Sequence, residues 1–220
     1  IWDSMRDNAW MGGKGESWER GPYYLDGLLP LAWQLGDEEL KNTAMKFVEW
    51  TLSSQREDGF FGPADNEDWW PRMVMLKCLQ QYFTATGDKR VLSFMNRYFA
   101  YMYRNLDEKP LGLWAIARAG DNIQIVQWLY NITGQKALLK LCDKLLVQSI
   151  DWTGYFPHLP RCTGSEARLS LVAAQAHARR IQRSVEPRLA AASAHPCGES
   201  GHGAQDPHAR LCAARRHQAG

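Results

Sequence analysis

Carboxylate, aromatic and guanidinium side chains gather in three places along the sequence. Glu16, Trp18, Glu19, Arg20, Tyr23, Tyr24 and Asp26 form the first set. Asp58, Asp65, Glu67, Asp68, Trp69, Trp70 and Arg72 form the second, and Trp114, Arg118, Asp121 and Asn122 open the third. Glycoside cleavage uses side chains of this kind: one acid protonates the leaving oxygen while a second group attacks or activates water. Aromatic faces pack on the apolar C–H face of a sugar ring, and a few placed polar groups bind its hydroxyls. Taken singly, each residue reads more simply as a helix cap, a solvated turn or Trp packing. Taken together, the three sets read as a sugar-binding rim. No spacing selects the acid, so the catalytic residue stays unassigned.

The elements that must hold these sets are helices. Leu25, Leu28, Leu29, Ala32 and Leu35 recur at helical spacing, which predicts a helix over 22–35 with a kink or break at Pro30. Gly36-Asp37 is expected to end it and to cap the next helix, whose stripe is Leu40, Ala44, Phe47, Val48, Thr51 and Leu52. The same unit recurs with Met73, Leu76, Leu79 and Phe83, then Val91, Phe94, Met95, Tyr98, Phe99 and Met102. A third copy runs from Ile123 through Leu129 and on through Leu138, Leu139, Cys142, Leu145 and Leu146. The tight-turn glycines fall at Gly36, Gly87 and Gly134, 51 and 47 residues apart. That period means repeated helical hairpins, each with one short turn and one long polar loop. Stacked in register, the hairpins bring the long loops to one rim. The expected fold is therefore all-α, a partial toroid of helical hairpins, with no strand ladder.

Composition sets wide bounds. The 220 residues suffice for one sizeable core, and 45% apolar with 23% charged residues is ordinary for a globular chain. A net charge of +2 gives no reason to expect nucleic acid or a membrane surface as partner. No run of about 18 apolar residues predicts a spanning helix. No signal peptide is visible at Ile1, where the start reads as an interior cut. Five cysteines without CxxC pairing, two of them (Cys78 and Cys142) in apolar helical text, read as buried thiols rather than metal ligands.

Residue 160 marks a change. Before it lie 17 basic and 20 acidic residues; from 161 onward lie 9 and 4. All Trp, Tyr and Phe lie at or before Phe156. Residues 1–160 are therefore read as the toroid part. Residues 161–220 are read as an aromatic-free Ala, Arg and His-rich tail, disordered or frame-shifted, with residual helix propensity over 167–194. Cys197, His202, His208, Cys212 and His217 in the tail have no spacing that fits a metal site.

Four phrases are longer than a motif: Gly15-Glu-Ser-Trp-Glu-Arg-Gly-Pro-Tyr-Tyr-Leu-Asp-Gly-Leu28, Ser54-Gln-Arg-Glu-Asp-Gly-Phe-Phe-Gly-Pro63, Trp69-Trp-Pro-Arg-Met-Val-Met-Leu-Lys77 and Trp128-Leu-Tyr-Asn-x-Thr-Gly134. Over residues 1 to 158 they resemble the β-L-arabinofuranosidase-type glycoside hydrolase family. The resemblance implies an (α/α)6 toroid followed by β-sandwich domains, and exo-acting removal of a terminal sugar. It also implies a Cys nucleophile, a Glu acid/base and a zinc held by Cys and Glu, all later in the chain. The residues matching the family phrases, and so expected to bind substrate, are Glu16, Trp18, Glu19, Arg20, Tyr24, Asp26, Asp58, Trp69, Trp70 and Arg72. Val74 and Met75 stand where a sugar-contacting His is expected. The tail aligns with none of the catalytic groups. The expectation is thus a truncated, inactive hydrolase with no cofactor in this chain and zinc only in a full-length parent.

The expected partner is the terminal sugar of a glycan, with self-association through exposed helix faces. Two other enzyme readings use the same frame. Gln55-x-x-x-Gly59-x-Phe61 resembles the Gln/aromatic repeat of terpene cyclases, although Asp65-Asn-Glu-Asp68 departs from their acidic run. A polysaccharide lyase would need a base beside an acidic sugar, which the rim carboxylates oppose. A non-catalytic helical-repeat scaffold is the remaining alternative.

Overall fold

A computed structural model describes residues 6–155. A 3-10 turn at Ala9–Met11 leads into α1 (Arg20–Leu35), α2 (Glu38–Ser53), α3 (Trp69–Thr86), α4 (Arg90–Asn105), α5 (Leu113–Thr133), α6 (Ala137–Gln148) and a final turn α7 (Trp152–Tyr155). Among the described residues there is no strand. The six long helices pair as three hairpins: α1 with α2, α3 with α4, α5 with α6.

Two layers result. α1, α3 and α5 pack side by side with α3 central, and α2, α4 and α6 lie behind them with α4 central. Burial follows this order. α4 buries one stripe, Val91, Phe94, Met95, Tyr98, Phe99 and Met102, and leaves its other face to water. α3 has neighbours on both flanks and the outer layer behind, so every residue from Trp69 to Leu76 is buried. This is the partial (α/α)6 toroid, of which the described residues make three hairpins.

Local chemistry sets the short turns. Gly36 adopts φ 67°, the left-handed region open to glycine, and its N–H closes α1. Asp37 then accepts from the N–H groups of Glu39 and Leu40 and starts α2. The left-handed glycine recurs after α3 and α5, at Gly87 and Gly134. Pro30 produces no break: α1 runs through it from Arg20 to Leu35.

The third hairpin begins earlier than its sequence stripe suggests. α5 starts at Leu113, so Trp114, Arg118, Asp121 and Asn122 lie on a helix and not on a loop. The Ala-rich text of 115–119 carries the helix, and Gly120 does not interrupt it.

The long loops all meet at one end. Asn66 donates to the Ser17 carbonyl, Lys109 pairs with Glu67 at 2.8 Å, and Leu111 N–H donates to Gln148 Oε1. The readings of residues 1–5 and of the tail from 161 onward lie outside the described residues.

Candidate sugar-binding face

Side chains three and four positions apart share one face of a helix. α1 and its N-cap present Glu19, Tyr23 and Asp26 in this way. α3 presents Trp70, Lys77 and Gln81, and α5 presents Trp114, Arg118 and Asp121. The three stripes meet on the inner layer. Trp70 is the joint between them. Its Nε1–H donates to Glu19 Oε2 at 2.6 Å. Tyr23 packs edge-on to its ring at 5.9 Å, and the Arg118 guanidinium carbon sits 5.4 Å from the ring centroid.

One turn along, Asp26 is shared. Lys77 Nζ reaches its Oδ2 at 3.0 Å, and Gln81 Nε2 its Oδ1 at 2.8 Å. The pair neutralises itself, and its ammonium is held above the usual lysine pKa by the hydrogen bond to Asp26. Burial raises the Tyr23 hydroxyl above its usual pKa; Arg118 opposes that, while Glu19, Asp121 and Asp26 reinforce it. Tyr23 is therefore a neutral hydroxyl at neutral pH, with its side chain 43% exposed. Trp114, 46% exposed, offers an indole one turn before Arg118.

The rim residues expected from the sequence divide into two groups. Glu19, Asp26 and Trp70 come together on this face. The others are placed elsewhere. Trp69, next in sequence to Trp70, points the opposite way, into Tyr98 and Tyr101, and donates to the Lys109 carbonyl. Neither Trp69 nor Trp70 offers a ring to stack on a sugar, since each is 2% exposed. Arg72 is wholly buried. It lies 4.0 Å from the Phe60 ring centroid and donates to the carbonyls of Phe61, Asp68, Asn66 and Pro63. It is an internal strut for the 61–68 loop. Burial lowers its pKa to about 10, so it remains a cation at neutral pH.

Glu16 closes its own loop by accepting from Trp18 N–H and from Asn8 Nδ2. Trp18 donates to Asp68 Oδ2 at 3.0 Å and ties the first long loop to the second. Tyr24 faces α2 and packs on Phe47. Arg20 is exposed at the first turn of α1. Asp58 belongs to the outer side: it pairs with Arg56 at 2.9 Å, and Arg104 of α4 donates to its carbonyl. Asn122 is buried behind α5, with Nδ2 3.2 Å from Met102 Sδ. Lys77 and Gln81 were not singled out in the sequence. They sit three and seven positions past Val74 in apolar text; a helical wheel anchored on Trp70 finds them.

The carboxylates of this face are Glu19, with one oxygen taken by an indole N–H, Asp26 in an ion pair, and Asp121. Cys78 is buried, burial pushes its thiol well above the ordinary pKa, and Sγ meets the Pro22 carbonyl at 3.4 Å. Cys142 is buried too. Neither has the exposed, electropositive setting of a thiolate nucleophile. The zinc of the family resemblance does not fit the described residues, which bring no three His, Cys, Asp or Glu side chains together for a metal. Among the described residues no helix is long and apolar enough to cross a membrane.

Comparison with known proteins adds a family. No curated protein and no solved structure matches the chain. A family model described as β-L-arabinofuranosidase, GH127 catalytic domain, matches residues 8–185, which includes every helix above and runs on past residue 160. The chain therefore belongs to the β-L-arabinofuranosidase GH127 catalytic-domain family of glycoside hydrolases.

Proposed function

We infer that the described helices form the sugar-binding wall of an exo-acting glycosidase whose substrate ends in a β-L-arabinofuranose-like residue. The supporting observation is the convergence of Glu19, Tyr23, Asp26, Trp70, Lys77, Arg118 and Asp121 on the inner layer. Hydroxyl-rich ligands suit this face because it mixes donors and acceptors of both charges within a few ångströms. Trp114 is its exposed aromatic surface. Bond cleavage calls for an acid/base and a nucleophile. We assign neither to the described residues, whose role is to hold the terminal sugar and fix its ring.

The test separates binding from turnover. Saturation-transfer NMR on the whole chain uses methyl β-L-arabinofuranoside, with methyl β-D-glucopyranoside as comparison. Release of p-nitrophenol from the matching aryl glycosides, with and without chelator, reports turnover. Preferential transfer to the arabinofuranoside is expected. A folded chain that receives no transfer to either sugar overturns the reading and moves weight to a scaffold without a sugar ligand.

A further inference from the structure

Most polar atoms on the inner face are already in use. Glu19 holds the Trp70 indole N–H. Asp26, Lys77 and the Gln81 amide nitrogen serve one another. Three side chains differ. The Tyr23 hydroxyl, the Arg118 guanidinium and the Asp121 carboxylate make no hydrogen bond or ion pair with any group among the described residues. Two of them flank the same indole: Tyr23 meets Trp70 edge-on at 5.9 Å, and Arg118 lies 5.4 Å from its centroid. The third, Asp121, stands three positions past Arg118 on the same face of α5. Arg118 and Asp121 both act electrostatically on the Tyr23 hydroxyl, in keeping with their place on the same inner layer around Trp70.

Trp70 gives this trio its rigidity. It is 2% exposed and pinned by the Glu19 carboxylate, so it cannot move aside. The Arg118 guanidinium carbon lies within cation–π reach of the indole, and its N–H donors have no protein acceptor among the described residues, so a ligand can take them. An unpaired Arg, an unpaired carboxylate and a phenol together supply donors, acceptors and one group that does both. Two adjacent hydroxyls of a sugar ring have the matching pattern: oxygen lone pairs accept from Arg118, and an O–H donates to Asp121.

Charge narrows the ligand further. The face carries Glu19, Asp26 and Asp121 against Lys77 and Arg118, one negative charge in excess. The Asp26–Lys77 pair cancels, and Asp121 stands beside Arg118. A carboxylated sugar brought to Arg118 would meet Asp121 and Glu19 as well.

We propose that Tyr23, Arg118 and Asp121 form a diol-reading subsite that selects an uncharged sugar with two adjacent ring hydroxyls. It rests on the reading of this face as sugar-binding, and adds which residues discriminate and against what.

The experiment measures affinity on the full chain by NMR titration. The ligands are methyl β-L-arabinofuranoside, its 2-deoxy and 3-deoxy analogues, and methyl α-D-galacturonoside. The proteins are wild type, Arg118→Lys, Arg118→Met, Asp121→Asn and Tyr23→Phe, each checked for an unchanged melting temperature. Wild type is expected to bind the parent sugar about tenfold or more tighter than a deoxy analogue, and to bind the uronide least. Arg118→Met and Asp121→Asn are expected to lose about tenfold for the parent sugar and nearly nothing for the analogue that lacks their partner hydroxyl. Arg118→Lys keeps the charge and loses the fork, so it falls between. A merely structural role would weaken all ligands alike. If wild type binds no sugar, the functional reading fails. If wild type binds and the variants bind equally well, or if the uronide binds best, the subsite fails while the functional reading stands.

Discussion

Replacing Arg72 by Met removes the guanidinium while keeping much of the volume. Nε donates to the Phe61 carbonyl at 2.7 Å and Nη1 to the Asp68 carbonyl at 2.8 Å. Nη2 serves Asn66 at 2.5 Å and Pro63 at 3.4 Å. Three of these four are short and charge-assisted. An acceptor left buried without a donor costs roughly 1–3 kcal/mol, so three give about 3 kcal/mol at the low end, after water reaches some of them. The relief of a buried cation's desolvation offsets part of the upper range. Domains hold on the order of 5–15 kcal/mol, so the variant stays folded but is visibly weakened. With a urea slope of about 2 kcal/mol per molar, the midpoint falls by about 1.5 M. Arg72→Lys keeps one charge and loses the fork, and should fall between. Urea unfolding followed by Trp fluorescence reads the effect. A midpoint shift below about 0.3 M would refute the strut, since it would mean that the 61–68 loop does not depend on this side chain.

Four other outcomes follow from the same structure. The Tyr98 hydroxyl is fully buried and has no hydrogen-bond partner among the described residues, so Tyr98→Phe should leave stability unchanged or raise it by up to about 1 kcal/mol; a loss above that value contradicts the burial. Burial also raises its folded-state pKa above 10.0, so the unfolded chain ionises first and stability falls as pH rises beyond 10; the urea midpoint of wild type should drop between pH 9 and 11 more than that of Tyr98→Phe. Gly59 sits at φ 100°, and a Cβ there would collide with the Arg97 carbonyl, so Gly59→Ala should cost about 2 kcal/mol or more by urea unfolding. The hydrogen bond from Arg90 holds the Asp88 carboxyl below its usual pKa of 3.8, so its stabilisation is present above that value and lost as pH falls; the melting temperature of Asp88→Asn should depend less steeply on pH between 6 and 3, and parallel slopes would count against the pair.

Much of the frame was legible because its causes are local. Helical stripes such as Val91, Phe94, Met95, Tyr98 and Met102 state which face is buried, and a glycine at the end of an apolar stripe states where a hairpin turns. The long loops share one end because the stripes repeat in register. The grouping of side chains on the candidate face was legible only in part. Trp69, Trp70 and Arg72 read as one polar, aromatic cluster, yet helical geometry sends them to different faces: Trp69 and Arg72 inward, Trp70 to the inner layer. Asp68 as N-cap already fixes the start of α3, and a wheel drawn from there separates them. Asp58 looked like a rim acid. Its Asp-Gly turn folds onto the outer helix through Arg97, which donates to the Arg56 carbonyl, and Arg104. Those contacts span more than 40 residues of chain, and no local pattern announces them. Trp114, Arg118 and Asp121 looked like loop residues, but the helix starts ten positions before Ile123, where its apolar stripe begins.

The most direct measurement is a crystal structure of the whole chain soaked with methyl β-L-arabinofuranoside. The expected result is sugar density on the inner layer, with ring oxygens within hydrogen-bond distance of Tyr23, Arg118 and Asp121. Density instead in the groove between α2 and α4, lined by Glu49, Gln55, Arg90 and Arg97, with the inner layer bare, would contradict the placement of the site.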